Sequence, residues 1–347
     1  PRAPADSTPA CSIVRAAQAT IPAMRVALVH MRQAGSGGTE RYLNLTAAFL
    51  AERGDDVTVV CRSHEDAPHP AVRFCVLRPL AIGGAMRMSS FARAVERHVR
   101  AEPYDVVYGL GKTWTHDVVR LGGGCHATYL ELAHAATLKP WERFTGLRAH
   151  KQRQALAIEQ RALAPGHYRR VVVNSRMVAD DVARRHGVPA ERIALVYNGV
   201  DLERYTPARR EREGAALRSE LALGERDVAV LFLGSGYGRK GLDLVLAAFS
   251  EVAHANRALH LVVVGYDSEQ ARYAARAREL GLAERVRFLG GRRDTEACYA
   301  ACDVYVLPTR YDPFANTTLE ALASGLPVIT SARNGASELV EEGVSGS

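Results

Sequence analysis

Short apolar runs rich in valine and leucine recur along the chain, and several of them end at a glycine or a proline. Runs of this composition are typical of strands buried on both faces of a parallel sheet. Segments with the helical spacing of apolar residues follow several of the runs. The pattern predicts an α/β protein whose strands lie at residues 24–30, 57–61, 72–77, 105–110, 118–121, 168–174, 193–197, 228–233, 260–264, 286–289, 304–307 and 328–330.

The stretch VYVLPTRYDPFANTTLEALASGLPVITS, residues 304–331, contains strand, loop, helix and strand in turn. Pro308 ends the first strand because proline cannot donate to a sheet ladder. The apolar spacing that follows predicts a helix over 317–324, which Gly325 ends as the residue beyond the last turn. The rest of the predicted chemistry is arranged around this unit.

Two acids flank the start of that helix: Asp312 lies before it, and Glu320 lies within it. A helix that follows a parallel strand directs unpaired N–H groups and a partial positive charge at the crevice beyond the strand ends. A phosphate fits on the N–H groups of residues 315–318, and a carboxylate can accept both hydroxyls of a ribose. The alternative is an ordinary strand–helix unit with solvated acids.

A glycine-rich loop, Gly234-Ser-Gly-Tyr-Gly-Arg-Lys-Gly241, follows the apolar run 228–233 and precedes a predicted helix. Arg239 supplies a planar fork of donors and Lys240 a compact charge, so the arrangement is typical of phosphate binding in outline. It is not a Walker A sequence. The alternative interpretation is a basic turn at the surface.

Two further loops carry candidate residues. Residues 33–40 follow the first strand and include Gly37 and Gly38, which suit a close approach of the backbone to a ligand. This loop is not G-x-G-x-x-G, and a flexible turn is the alternative.

His126 follows three successive glycines after another predicted strand, a position where loop residues often function. Its competitors for that role are His116 and Asp117.

The segment with Asp312 and Glu320 resembles the E-x7-E motif of the retaining glycosyltransferases of family 4, and LPTRYDPF and EALASGLPVI match that family closely. The chain departs from the motif in having Asp312 for the usual first glutamate and Ala315 for the usual glycine. The resemblance implies the GT-B fold, which has two Rossmann-like domains with parallel sheets that face an interdomain cleft. It also implies that Glu320 holds the nucleotide ribose and that Asp312 contacts the donor sugar.

The same resemblance implies roles for the other loops. Gly37 and Gly38 would lie over the donor diphosphate, and His126 would reach the sugar and the acceptor. Lys240 and Arg239 would neutralise the diphosphate, with Ser235 standing where the family usually has an arginine. The remaining nucleotide-sugar contacts implied are Gly291, Arg292, Phe314, Ala315, Asn316, Thr317 and Thr318.

The resemblance also sets the expected domain organisation. Residues 24–205 form the acceptor-side domain, and residues 206–347 form the nucleotide-sugar domain, with the hinge at the N-G-V-D of residues 198–201. Residues 1–23 are rich in proline and alanine and are expected to be a disordered extension. The family's final helices do not follow residue 347, so the C-terminal domain is expected to be truncated.

The chain has 347 residues, enough for two α/β domains, and a formal net charge of +7, which suits an anionic partner. No aromatic-interleaved basic patch indicates nucleic acid. The six cysteines have no zinc spacing and are expected to be free thiols in a reducing cytoplasm. The sequence contains no apolar run that could span a bilayer. Residues 130–163 are predicted to be largely helical and basic. A basic amphipathic helix can lie on an anionic membrane at its inner face, and a solvated helix face is the commoner alternative.

The function expected from these features is transfer of a hexose, with UDP-glucose as the first candidate donor, to a hydroxyl of a lipopolysaccharide core or another surface glycan. No cofactor and no metal are expected, because the chain has no D-x-D motif and basic residues take the cation's place. Three alternatives stay open: a sugar-nucleotide epimerase of the same fold, a nicotinamide-dependent oxidoreductase, and a non-catalytic binder of nucleotide sugars. The absent G-x-G-x-x-G argues against the oxidoreductase.

Overall fold

The structure, a computed structural model, describes residues 22–35, 37–134 and 147–347. Nearly all of the predicted N-terminal extension and the middle of the helix predicted over 130–163 lie outside these residues. Within the described chain, a helix follows most of the strands, as the apolar pattern predicts. None of the described helices combines the length and the apolar character that a membrane span requires.

The first sheet has seven strands in the order β3-β2-β1-β4-β5-β6-β7, and its pairs among β1 to β5 are parallel. Its strands are β1 (Arg25–Val29), β2 (Asp56–Cys61), β3 (Arg73–Val76), β4 (Val106–Gly109), β5 (Val118–Arg120), β6 (Arg170–Val173) and β7 (Ile193–Leu195). The helices between them are α1 (Gly38–Glu52), α2 (Gly83–Ala101), α3 (His126–Leu132), α4 (Leu147–Ala162) and α5 (Arg176–His186).

The second sheet has five strands in the order β10-β9-β8-β11-β12, and all four neighbouring pairs are parallel. Its strands are β8 (Val228–Leu233), β9 (Leu259–Val264), β10 (Val286–Gly290), β11 (Val304–Leu307) and β12 (Val328–Thr330). The helices are α6 (Ala215–Glu220), α7 (Tyr237–Lys240), α8 (Leu242–Ala255), α9 (Gln270–Glu279), α10 (Thr295–Ala301) and α11 (Asn316–Ala323).

Large aromatic side chains fill the core around the second sheet. Phe232, Tyr237, Tyr299 and Tyr305 are fully buried there and contact one another edge-on or at a tilt. Aromatic pairs in these orientations add about 0.5–1.5 kcal/mol beyond the area they bury. This core fixes the ends of β8 and β11, from which the candidate site is built.

Contacts group the described residues into two compact units, those of 1–120 with those of 149–171, and those of 121–148 with those of 172–347. The predicted boundary at 205/206 lies between the last strand of the first sheet and the first strand of the second, and it stays a prediction. The segment 130–163, predicted to be largely helical, includes the end of α3 at Leu132 and all of α4, Leu147–Ala162. Elsewhere the boundaries agree closely; α11 begins one residue before its predicted start.

Candidate functional site

The candidate site lies where the strand order of the second sheet reverses, between β8 and β11. In open parallel sheets, ligands bind in the crevice outside the carboxyl ends of the two strands at such a switch point. Leu231 pairs with Tyr305 here, so the loops that leave the two strands begin side by side. These loops are the glycine-rich residues 234–241 and the acid-containing residues 308–315.

Glycine allows the two loops to touch. Gly236 and Gly241 flank the single turn of α7 with φ angles of +78° and +80°, which favour glycine. A side chain at Gly241 would collide with the carbonyl oxygen of Pro308, whereas one at Gly236 would meet nothing within 4 Å. The close approach brings Arg239 and Lys240, at the end of α7, onto the loop after β11.

Asp312 joins both cations. Its Oδ2 accepts hydrogen bonds from Arg239 Nη1 (2.6 Å) and from Lys240 Nζ (2.7 Å). Asp312 and Lys240 expose only 8% and 7% of their surface, so these charges are largely removed from water. Buried charges of this kind need a partner. The sequence predicted two cations and one acid for this region, and the structure shows that they form one ion-pair cluster.

The electrostatics of the cluster favour its charged state. Burial alone would raise the pKa of Asp312, but the charges of Lys240 and Arg239 and their hydrogen bonds outweigh burial and lower the pKa to about 2. Burial lowers the pKa of Lys240, an effect that Asp312 opposes and Arg239 reinforces. Two cations share one carboxylate, so the cluster has an excess positive charge that suits an anionic ligand.

The backbone around Asp312 is fixed as firmly as its side chain. Asp312 Oδ1 accepts a hydrogen bond from the N–H of Phe314 (3.2 Å). The Asp312 N–H donates to the carbonyl oxygen of Arg333, and its own carbonyl accepts from Gly335 N–H, both at 2.9 Å. The Asp312 carboxylate is therefore held in place, and the longer side chains of Arg239 and Lys240 extend to it.

The N-terminus of α11 faces the same crevice. Ala315 precedes the helix and has no side chain that could cap it. The first N–H groups of an α-helix have no acceptor within the helix, so those of Asn316 and Thr317 suit a phosphate oxygen. Asn334 holds the approach to the helix, because its Oδ1 accepts from Ala315 N–H (3.1 Å) and its Nδ2 donates to Thr318 Oγ1 (2.9 Å).

Glu320 lies one turn further along α11 and is also buried. Its Oε2 accepts a hydrogen bond from the hydroxyl of Tyr299 (3.0 Å). The charges of both Glu320 and Asp312 raise the pKa of Lys240, although not enough to offset its burial. The structure therefore brings the two acids of the motif and the Lys240 ammonium into one electrostatic environment.

The loop after β11 also contacts residues that follow strands of the first sheet and belong to the same, second compact unit. A side chain at Gly124 would collide with the Tyr311 hydroxyl, so the glycine run lies directly against the loop after β11. His126 begins α3 two residues later and stacks on Tyr129 at 5.7 Å between ring centres. Asn198 Nδ2 donates to Asn316 Oδ1 (2.7 Å), at the first residue of α11.

The other predicted residues have their own surroundings. Gly37 and Gly38 begin α1 in the first compact unit. Ser235 Oγ accepts from the N–H of Tyr266 (3.0 Å). Gly291 follows β10 with open space beside it, and Arg292 pairs with Asp294 and Glu220 at 2.7 and 3.3 Å. Their expected contacts to a nucleotide sugar stay predictions.

The competitors of His126 have structural surroundings. His116 is buried, its Nε2–H donates to the carbonyl oxygen of Ala162 (3.2 Å), and burial lowers its pKa to about 4. Asp117 accepts a hydrogen bond from Val107 N–H (2.9 Å) and pairs with Arg169 (3.1 Å). His116 thus holds the end of α4, and Asp117 holds strands of the first sheet.

Sequence reasoning missed four residues that build the site: Tyr299, Tyr305, Arg310 and Asn334. Tyr305 donates from its hydroxyl to Thr317 Oγ1 (2.7 Å) and so ties β11 to the first turn of α11. The Asn-Gly pair at 334–335 is a turn signal that could have drawn attention to Asn334. The tyrosines carry no signal of their own, because aromatic residues in strands and helices usually indicate only a core.

Comparison with known proteins identifies two families along the chain. The family described as Glycosyltransferase Family 4 matches residues 36–204, and the family described as Glycosyl transferases group 1 matches residues 215–347. The second match includes the loops after β8 and β11 and all of α11. Both matched regions therefore contain segments in which the sequence predicted a site.

Two curated relatives are similar over most of the chain. The D-inositol 3-phosphate glycosyltransferase of Mycobacterium sp. (strain KMS) is 28% identical over 350 residues, covering 90% of this chain and 74% of the relative. The lipopolysaccharide glucosyltransferase WaaG of Escherichia coli (strain K12) is 24% identical over 296 residues, covering 85% of this chain and 77% of the relative.

Solved structures share the architecture. The crystal structure of WaaG matches with a TM-score of 0.76 and 24% identity, covering 93% of this chain and 85% of that chain. The crystal structure of Anabaena HepE in complex with UDP-glucose matches with a TM-score of 0.63 and 22% identity, covering 93% and 84%. At these identities the likeness establishes the fold: two α/β domains of the GT-B type.

Proposed function

This chain belongs to the family 4 glycosyltransferases, and we propose that it transfers a hexose from a nucleotide-diphosphate sugar to a hydroxyl of a surface glycan, with retention of configuration. UDP-glucose is the first candidate donor, because HepE, a relative in fold, was crystallised with it. A lipopolysaccharide core is the first candidate acceptor, because the related WaaG is a lipopolysaccharide glucosyltransferase.

The single observation that supports the proposal most strongly is the Asp312–Arg239–Lys240 cluster at the switch point of the second sheet. A diphosphate bound beside this cluster would neutralise the excess positive charge of Arg239 and Lys240. The first N–H groups of α11 would bind a further phosphate oxygen. We propose that catalysis needs no metal ion, because these groups would stabilise the negative charge of the diphosphate in its place.

The two acids are proposed to bind the parts of the donor on either side of the diphosphate. The Tyr299 hydroxyl donates to Oε2 of Glu320, and the Glu320 carboxylate is proposed to bind the ribose, since a carboxylate can accept hydrogen bonds from vicinal hydroxyls. Asp312 uses three of the roughly four acceptor positions of a carboxylate within the protein. One position of Oδ1 therefore suits a hydroxyl of the donor sugar.

In the proposed reaction the bond between the anomeric carbon and the diphosphate oxygen breaks, and the electron pair goes to that oxygen. The acceptor hydroxyl oxygen bonds to the same face of the anomeric carbon, and its proton passes to the leaving phosphate. Lys240, Arg239 and the N-terminus of α11 would stabilise the charge that develops on the diphosphate. Gly37, Gly38 and His126 are proposed to contact donor and acceptor, and Gly291 and Arg292 the nucleobase.

A peripheral contact with an anionic membrane is proposed for the first compact unit. Leu80 and Ile82 are 97% and 88% exposed in the segment before α2, and the exposed Arg78 and Arg87 flank them. An aliphatic surface with a basic rim suits the headgroup region of an anionic bilayer.

The test is product formation by the full chain from a panel of nucleotide sugars and candidate acceptors, with the anomeric configuration of the product determined by NMR. Lys240→Gln should lower kcat/KM by about 10²–10³-fold, the range seen when one charge-stabilising donor is removed. Arg272→Gln, an exposed position on α9, is the matched control. Product with inverted configuration, or turnover that Lys240→Gln leaves intact, would refute the proposal.

A further inference from the structure

Arg310 lies on the loop after β11, two residues before Asp312, and contacts the opposite side of the glycine-rich loop. Its guanidinium forms a two-pronged ion pair with Asp243, Nη1 to Oδ1 at 2.8 Å and Nη2 to Oδ2 at 2.6 Å. Nη1 also donates to the carbonyl oxygen of Gly238. One side chain thus joins the end of α7 to the first turn of α8.

The backbone at Arg310 contacts the same turn. The N–H of Arg310 (2.9 Å) and the hydroxyl of Thr309 (3.0 Å) both donate to the carbonyl oxygen of Arg239. These are carbonyl groups at the C-terminal end of a helix, which have no partner within the helix. The carbonyl groups of residues 238 and 239 are therefore held by residues 309–310, while the Arg239 and Lys240 side chains are held by Asp312.

We propose that Arg310 is a positioning residue for the reaction: it fixes the backbone of α7 so that Arg239 and Lys240 meet the diphosphate of the donor. The inference rests on the proposed function and adds a role for a residue that touches no substrate. A four-residue helix between two glycines of positive φ has little stiffness of its own. Arg310 supplies that stiffness with a planar fork that lysine cannot reproduce.

The ion pair also explains why α7 and α8 keep their relative position. Asp243 lies in the first turn of α8, where an acid is favoured by the helix dipole. With its carboxylate bound to Arg310, the start of α8 and the end of α7 are connected to the loop after β11. Release of this connection would leave Lys240 attached to Asp312 but free to shift with its backbone.

The test compares Arg310→Lys with the wild-type full chain in equilibrium binding of UDP and of uridine. Because α7 is proposed to contact only the diphosphate, Arg310→Lys should weaken UDP binding about tenfold, the effect of losing one charged hydrogen bond between α7 and the ligand. Uridine binding and the thermal unfolding midpoint should stay close to the wild type. Arg276→Lys, an exposed ion-paired position on α9, is the control and should change neither.

A cycle with Asp243→Asn separates positioning from general loss of structure. If the two residues act as one unit, Asp243→Asn should weaken UDP binding less than Arg310→Lys, and the double variant should match Arg310→Lys alone. Equal weakening of UDP and uridine, or UDP binding unchanged in Arg310→Lys, would overturn the inference and leave the proposed function standing. A wild-type chain that binds neither UDP, ADP, GDP nor inorganic pyrophosphate would overturn both.

Discussion

At the scale of single residues, burial decides which charges the protein keeps and which it suppresses. Asp312 remains a carboxylate because two cations reach it, and its pKa is lowered to about 2 although burial opposes this. Asp117 raises the pKa of His116 too little to offset burial, which lowers it to about 4, so the imidazole is neutral at pH 7. The same physical effect therefore supports a charged cluster at the site and an uncharged histidine in the first sheet.

The pKa of His116 predicts a pH dependence of folding. Its pKa falls from 6.5 to about 4 on folding, so the unfolded chain binds the proton more tightly between these values. The histidine's contribution to stability is complete above pH 6.5 and is lost as the pH falls toward 4, a change of about 3 kcal/mol. Urea unfolding from pH 7 to pH 4 should show this loss, and His116→Gln should remove most of it.

The exposed His254→Gln is the control and should keep the wild-type pH dependence. If His116→Gln loses as much stability between pH 7 and pH 4 as the wild type does, the histidine is not held neutral by burial. The structural role assigned to His116, which separates it from the candidate site residue His126, would then be refuted.

At the scale of elements, the site depends on two loops that glycine allows to touch. Gly241→Ala adds a Cβ that collides with the Pro308 carbonyl oxygen, and it also places alanine at a φ of +80°. Gly236→Ala has nearly the same φ, +78°, with nothing within 4 Å of the new carbon. Comparison of the two variants separates the free-energy cost of backbone strain from the cost of the steric collision between the loops.

We expect Gly236→Ala to lower the free energy of unfolding by about 1–2 kcal/mol, the cost of a left-handed conformation for an L-residue. Gly241→Ala should cost at least about 1 kcal/mol more, because overpacking adds to the same strain. Chemical denaturation measures both. Equal losses in the two variants would mean that the loops after β8 and β11 are not in close contact.

The sequence could predict the elements of the second sheet because strands such as β8 and β11 are continuous apolar runs that end at glycine or proline. It could place Lys240 in the loop after β8, Asp312 in the loop after β11 and Glu320 in the helix that follows; their contacts to a nucleotide sugar stay predictions. It could not predict that Asp312 would pair with both cations, since that requires the loop contact at Gly241.

At the scale of the whole molecule, both sheets have a switch in strand order beside their first strand, β1 in one and β8 in the other. Each sheet therefore offers one crevice at the carboxyl ends of its strands. In the second sheet this crevice holds the cations, the N-terminus of α11 and Glu320. In the first sheet the loop after β1 contains Gly37 and Gly38, which are proposed to contact the donor and the acceptor.

The most direct test of the account is the equilibrium affinity of the full chain for UDP, measured by calorimetry, in the wild type, Glu320→Ala and the exposed control Glu251→Ala. Hydrogen bonds to a buried carboxylate contribute about 1.5–3 kcal/mol, so Glu320→Ala should weaken UDP binding by roughly 10- to 150-fold. Glu251→Ala should bind as the wild type does. UDP affinity that is unchanged in Glu320→Ala would contradict the account.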